Sequence, residues 1–162
     1  MVKILFVCHG NICRSPMAEF VMKDLLRKRG IEDEFYICSA ATTSEEIWDG
    51  IGRPVYPPAR RKLAEHGIGT PDNELGVGSK QARLLKKEDY TSYDYIIGMD
   101  SENLYDMKHI CGGDRKHKIS LLMDYTGRPR SVADPWYTGD FTATWNDIYE
   151  GCTALLQFLT EK

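Results

Sequence analysis

The sequence predicts an α/β fold: a single-domain, three-layer arrangement in which a parallel sheet is flanked by helices on both faces. Three observations point there. Short apolar runs alternate with longer segments of helical periodicity, the pattern of parallel strands joined by helical crossovers. The first run, Ile4-Leu5-Phe6-Val7, is apolar at every position, as befits a strand buried on both faces. The 162 residues are 42% hydrophobic and 28% charged, enough for one real core and ordinary for a globular chain. No repeat or low-complexity block divides them, so residues 1–162 are read as one domain.

Residues 2–7 form the first predicted strand. Ser15 then reads as an N-cap with Pro16 in the first helical position, opening a helix that runs to about Arg29. Its buried stripe is Met17, Phe20, Val21 and Leu25, with Asp24 a polar intruder, and Gly30 ends it as a C′ glycine. "EFYICSA" (34–40) is the second strand. Residues 41–58, rich in Gly, Pro, Ser and Thr, are expected to be a long loop.

"PARRKLAEHGI" (58–68) is a helix stopping at Gly67, and 69–79, with three glycines and a proline, is loop. "YDYIIGMD" (93–100) is the third strand, and "SENLYDMKHI" (101–110) a helix capped by Ser101. "HKISLLMDY" (117–125) is the fourth strand. "DFTATWNDIYEGCTALLQFL" (140–159) closes the chain as a helix with Trp145, Ile148, Leu155 and Leu159 on its apolar side.

The formal net charge of −3 leaves no basic footprint for nucleic acid and no broad attraction to anionic membranes. Any positive potential for an anion must be local. The opening apolar run is too short for a signal h-region or a membrane span. Cys8, Cys13, Cys38, Cys111 and Cys152 are an odd set, a poor disulfide scaffold. No Cys-x-x-Cys or His-x-x-x-His spacing suggests a metal. The expectation is a reduced, cytoplasmic protein with neither metal nor cofactor.

In parallel sheets ligands bind beyond the carboxyl ends of strands, and "CHGNICRSP" begins at such an end. A tight loop between strand and helix can turn its backbone N–H groups onto one anion. Gly10 eases the path, Asn11 tolerates left-handed dihedrals, and the helix beginning near Ser15 adds its positive end. Thiols at helix N-termini and beside positive groups ionise more readily than free ones, which makes Cys8 a candidate nucleophile. Ser15 can donate its hydroxyl to that sulfur, and Arg14 offers a planar fork matching two phosphoryl oxygens. Cleaving a phosphate ester also needs an acid for the leaving oxygen. In "ADPWYTGDF" (133–141), Pro135 biases Asp134 away from helix, beside Trp136 and Tyr137. Taken alone, each feature has a structural reading: a buried Cys is usually packing, and Asp-Pro is commonly a surface turn.

Together these stretches closely resemble the low-molecular-weight protein tyrosine phosphatases. The similarity rests on "CHGNICRSP", on "SAAT" (Ser39 to Thr42), on "DPWY", on "QAR" (81–83) and on "MD" (99–100), in order over nearly the whole chain. The resemblance implies a four-stranded parallel sheet with a phosphate-binding loop after the first strand. It also implies in-line attack by Cys8, protonation of the tyrosyl oxygen by Asp134, and hydrolysis of the phosphocysteine by water that Asp134 deprotonates. Arg14 and the loop, with His9, Gly10, Asn11, Ile12, Cys13 and Ser15, would hold the substrate's phosphate without a metal. The implied substrate is a phosphotyrosine-bearing protein or small aryl phosphate, and the product inorganic phosphate.

Asn11, Ser15 and Ser39 match the hydrogen-bond network that braces this loop in the family. Lys80 stands where the family usually has a histidine; lysine donates three hydrogen bonds and accepts none, so the network must be rewired or Lys80 must turn to solvent. Cys13 matches a second loop cysteine, which implies a protective disulfide with oxidised Cys8. Trp48, Trp136 and Tyr137 are the candidate walls of the entrance. His9 is expected at the rim, and His109 and His117 on the surface.

Three other readings stay open. An arsenate reductase of this fold needs a further cysteine pair, and Cys38, Cys111 and Cys152 offer no evident one. A protein arginine phosphatase typically has Thr where this chain has Ile12, which suits a flat apolar ring better than a guanidinium. A phosphate-binding module without catalysis would have no use for Cys8, Arg14 and Asp134 together.

Overall fold

The apolar run at the start of the chain becomes β1, Val2–Cys8, in a computed structural model that describes residues 1–161. With β2 (Phe35–Ala41), β5 (Tyr95–Gly98) and β6 (Ile119–Leu121) it forms a parallel sheet of order β2-β1-β5-β6. The register on one side of β1 runs from Val2↔Phe35 to Cys8↔Ala41, and on the other from Ile4↔Tyr95 to Val7↔Gly98. Strand alternation then assigns the faces. Ile4 and Phe6 pack with Met17, Phe20 and Val21 and with Ile148 and Leu155. Leu5 and Val7 pack with Leu85, Met107 and Cys111. Both faces of β1 are therefore dry, which is why every position of the run is apolar.

The helices are α1 (Arg14–Lys28), α2 (Pro57–Glu65), α3 (Asp89–Ser92), α4 (Ser101–Cys111), α5 (Pro135–Thr138) and α6 (Phe141–Thr160). The chain leaves β1 toward β2 on one side and returns to place β5 on the other. This change of direction opens a crevice beyond the carboxyl ends of β1 and β5, where sheets of this kind bind ligands. No helix among the described residues is long and apolar enough to cross a membrane.

Several local expectations are corrected. Cys13, not Ser15, is the N-cap of α1, so Ser15 and Pro16 lie inside the first turn. The hydroxyl of Ser15 is thereby free to face the loop instead of capping the helix. Asp100, not Ser101, caps α4: it accepts from the backbone N–H of Asn103, whose side chain in turn accepts from the Asp100 N–H. The long loop at 41–58 holds a small antiparallel hairpin, β3 (Ile47–Trp48) with β4 (Ile51–Gly52), packed so tightly that a Cβ on Gly52 would overlap the backbone of Ala82. The fourth strand is shorter than 117–125, because Leu122–Thr126 winds into a 3-10 turn. A second such turn, Val77–Ser79, interrupts the loop at 69–79. In the stripe of α1, Leu25 is half-buried and Asp24 buried; Asp24 pairs with Lys28 at 2.8 Å and accepts from Asn73.

Candidate active site

β1 ends on Cys8, and the six residues to Arg14 fold into a loop around its sulfur. Asn11 takes the left-handed conformation, φ 59°, which aims its own N–H inward. The Cys8 Sγ accepts hydrogen bonds from the Asn11 N–H at 3.3 Å and the Ser15 N–H at 3.4 Å, and lies 3.0 Å from the Ser15 Oγ. Donors so arranged favour negative charge on sulfur.

A chain of buried hydrogen bonds decides which way the Ser15 proton points. The Arg83 N–H donates to Asn11 Oδ1 at 3.1 Å, which fixes the amide orientation. Asn11 Nδ2 then donates to Ser15 Oγ at 2.8 Å and to Ser39 Oγ at 2.9 Å. Ser39 Oγ donates to Glu19 Oε1 at 2.6 Å. The Ser15 hydroxyl accepts from Asn11, and its own proton has Cys8 as its near acceptor; the Ala40 carbonyl lies farther, at 3.5 Å.

Arg14 is buried, its side chain 5% exposed, and both ends of its fork face carboxylates. Nη1 donates to Asp100 Oδ2 at 2.7 Å, and Nη2 lies 3.4 Å from Asp134 Oδ2. Burial opposes the charge of Arg14, but Cys8, Asp100 and Asp134 outweigh it and hold its pKa above the usual value. Asp100 works with both oxygens: one caps α4, the other orients Arg14. Asp134 keeps an extended backbone (φ −94°, ψ 110°) as the N-cap of α5 and accepts from the Trp136 N–H at 3.1 Å.

Cys8, Cys13, Arg14 and Asp134 line one cleft of about 460 Å³, together with His9, Gly10 and Ile12. Trp136 and Tyr137, 60% and 90% exposed, stand on the same side as Asp134, with the Trp136 ring centred 4.9 Å from that of Tyr56. A nucleophile, a fixed guanidinium and a carboxylate at one mouth can together transfer a phosphoryl group.

A family model described as "Low molecular weight phosphotyrosine protein phosphatase" matches residues 3–162. A Bacillus subtilis relative, the low molecular weight protein-tyrosine-phosphatase YfkJ, is 37% identical over 158 residues, covering 96% of this chain and 94% of its own.

The chain belongs to the low molecular weight phosphotyrosine protein phosphatase family.

The crystal structure of YfkJ superposes with a TM-score of 0.87 at 34% identity, covering 99% of this chain and 96% of that one. A Drosophila arginine phosphatase superposes with a TM-score of 0.82 at 30% identity, covering 98% of each. Members of this family are hydrolases, and the chain is an enzyme of that class.

In this phosphatase Trp48 does not line the cleft. Its ring lies under the Arg53 guanidinium at 4.2 Å and its indole donates to the Glu45 carbonyl at 3.0 Å, beside a separate depression shared with Lys80. Glu45 and Glu46 line the cleft instead. Gly10 matters there for a reason beyond the loop path: a Cβ on it would stand 3.1 Å from Glu46 Cγ. His9 is at the rim as expected, 2.7 Å from Glu45.

Lys80 does not turn to solvent. Its Nζ donates to the Ser39 carbonyl at 2.9 Å and lies 3.7 Å from Glu19. Burial pulls its pKa down against the opposing pull of Glu19. Glu19, 4% exposed, is the site residue that sequence reasoning missed, although a lone acid one turn after Ser15 in an otherwise apolar helix face was a legible signal. The arginine-orienting role of Asp100 was missed as well; its place at the end of a parallel strand pointed to it.

Of the five cysteines, Cys8 and Cys13 line the cleft, and Cys38, Cys111 and Cys152 do not. Burial, with the nearby Cys8 and Asp134, pushes the Cys13 thiol far above its ordinary range. The sulfur of Cys152 is buried against the Ala18 carbonyl on α1.

Proposed function

We propose that this enzyme hydrolyses aryl phosphate monoesters, with phosphotyrosine on proteins as the substrate class and inorganic phosphate as product. The carrying observation is the convergence of Cys8 Sγ, held by three donors, with Arg14 and Asp134 in one cleft. In the first step the Cys8 thiolate attacks phosphorus and the P–O bond to the aryl group breaks. Asp134, as the carboxylic acid, gives its proton to the departing oxygen. In the second, Asp134 as carboxylate takes a proton from water, the oxygen attacks phosphorus, the S–P bond breaks and the thiolate returns.

Arg14 and the loop N–H groups not engaged by the Cys8 sulfur hold the equatorial oxygens through both transition states. The residues lining the cleft supply this charge without calling on a metal. Trp136 and Tyr137 receive the ring, and Ile12 presents an apolar surface to it. The Ser15 hydroxyl stabilises the thiolate as it leaves. A cytoplasmic site of action accompanies this reading, because a thiol nucleophile has to remain reduced.

Cys13 is proposed as a resolving thiol: it attacks a Cys8 sulfenic acid, the S–S bond forms, and water leaves with the hydroxyl of the sulfenic acid and the Cys13 proton. A second reading, phosphoarginine hydrolysis, is favoured by the 30% identity to the Drosophila arginine phosphatase. Side-by-side turnover of phosphotyrosine, phosphoserine and phosphoarginine peptides and of arsenate separates the readings. Phosphotyrosine is expected to lead, and a faster phosphoarginine or arsenate reaction overturns the proposal.

A further inference from the structure

The cleft has two unlike walls. Trp136 and Tyr137 make one side broad, aromatic and exposed. The rest of the rim carries three carboxylates from two separate elements: Glu45 and Glu46 ahead of β3, and Glu102 in the first turn of α4. Among the cleft-lining residues the basic side chains are Arg14, engaged by Asp100 and Asp134 at the floor, and His9, bonded to Glu45. Glu46 and Glu102 have no ion-pair partner among the described residues, and the stem of Glu46 rests against Gly10 of the loop. The floor of the site thus offers an anion the Arg14 fork and the loop N–H groups, while its rim is anionic, within a single opening.

A phosphotyrosine side chain carries its negative charge to the floor and leaves the peptide on either side of it at the rim. We infer that Glu46 and Glu102, with Glu45 beside them, are specificity-determining residues that select phosphotyrosines flanked by lysine or arginine. This rests on the phosphotyrosine reading above. A basic neighbour meets an unpaired carboxylate there, whereas an acidic neighbour meets like charge at close range. Each such exposed pair changes an equilibrium by up to about five-fold. The preference is electrostatic, so it must weaken as salt shortens the screening length to about 3 Å at 1 M.

The test uses two phosphotyrosine peptides of one length and otherwise one sequence, one with lysines flanking the tyrosine and one with glutamates. At low salt the lysine peptide is expected to have a kcat/KM higher by about ten-fold, for two such pairs, carried mostly by KM. In 1 M salt the ratio should fall toward one. Glu46→Gln and Glu102→Gln, which keep shape and remove charge, should each cut the low-salt ratio by roughly two- to five-fold. Equal rates on both peptides, a faster glutamate peptide, or a ratio unmoved by salt and by both substitutions would overturn the inference and leave the phosphotyrosine reading standing. Failure to turn over either peptide, with phosphoarginine consumed, overturns both.

Discussion

Ser15 Oγ lies 3.0 Å from Cys8 Sγ, and the direction of its proton is set by Asn11, whose amide the Arg83 N–H holds in place. Because Glu19 as a carboxylate only accepts, Ser39 must donate to it. Asn11, its Oδ1 already engaged by the Arg83 N–H, donates to both serines, and Ser15 is left to donate to sulfur. A backbone N–H at one end and a buried acid at the other thereby order the hydroxyls between them.

Glu19→Gln tests the acid's part in this brace: it removes the charged acceptor of Ser39 and so loosens the hold on Asn11, while the Arg83 N–H still fixes the Asn11 amide. A hydrogen bond to a charged group is worth about 1.5–3 kcal/mol, so kcat on phosphotyrosine should fall about 10- to 100-fold, with KM little changed. Steady-state kinetics alongside a thermal melt would show it. A drop in kcat matched by a general collapse of the fold would point to packing instead.

Cys8→Ser should abolish turnover while phosphate still binds, because the cradle consists of backbone N–H groups and Arg14. Calorimetric titration with inorganic phosphate, together with an activity assay, checks both halves. Appreciable residual turnover would remove Cys8 from the role of nucleophile.

Asp134→Asn should slow phosphotyrosine hydrolysis by about 10²–10⁴-fold, the usual worth of general acid–base help. The loss should be clearly smaller on a nitrophenyl ester, whose leaving group needs no proton. Phosphocysteine should accumulate on that ester, because an amide cannot deprotonate the attacking water. Equal slowing on both substrates with no trapped intermediate would reduce Asp134 to a turn residue.

Trp136→Ala and Trp48→Ala should part company. Removing an aromatic contact costs about 0.5–1.5 kcal/mol, so Trp136→Ala should raise KM for phosphotyrosine roughly two- to ten-fold. Trp48, outside the cleft beneath Arg53, should leave that KM unchanged. A larger KM effect at Trp48 would restore it as a wall.

Mild peroxide should inactivate the enzyme reversibly, with dithiol restoring activity and peptide mass spectrometry finding a Cys8–Cys13 disulfide. Cys13→Ser should lose the recovery. Sulfinic acid on Cys8 in the unmodified protein, with no disulfide, would deny Cys13 its protective part.

Local chemistry carried far in this sequence. A strand apolar at every position has to be buried on both faces, so β1 and the covering of both its faces were legible from Ile4 to Val7 alone, whereas its place in the strand order was not. The loop from Cys8 to Arg14 and the Asp134-Pro135 turn were legible too, because their backbone demands and charges lie within a few residues of one another. Helix caps were less so. Ser15 and Ser101 are both good caps by type, yet Cys13 and Asp100 hold those positions, since each serine competes with a neighbour whose partner is set elsewhere in the fold.

The layered fold and the cradle from Cys8 to Arg14 were thus readable from the chain alone, as were the residues proposed for nucleophile, guanidinium and acid. What only the tertiary structure decided are contacts between segments far apart in the chain. The pairing of Arg14 with Asp100 spans 86 residues, and the bond from Lys80 to the Ser39 carbonyl spans 41. Trp48 was drawn aside to Arg53 while Glu45 and Glu46 took the cleft. The physical reason is common to all of these. A buried charge or an exposed ring takes whichever partner the packed backbone brings within reach, and no periodicity or motif records which partner that will be.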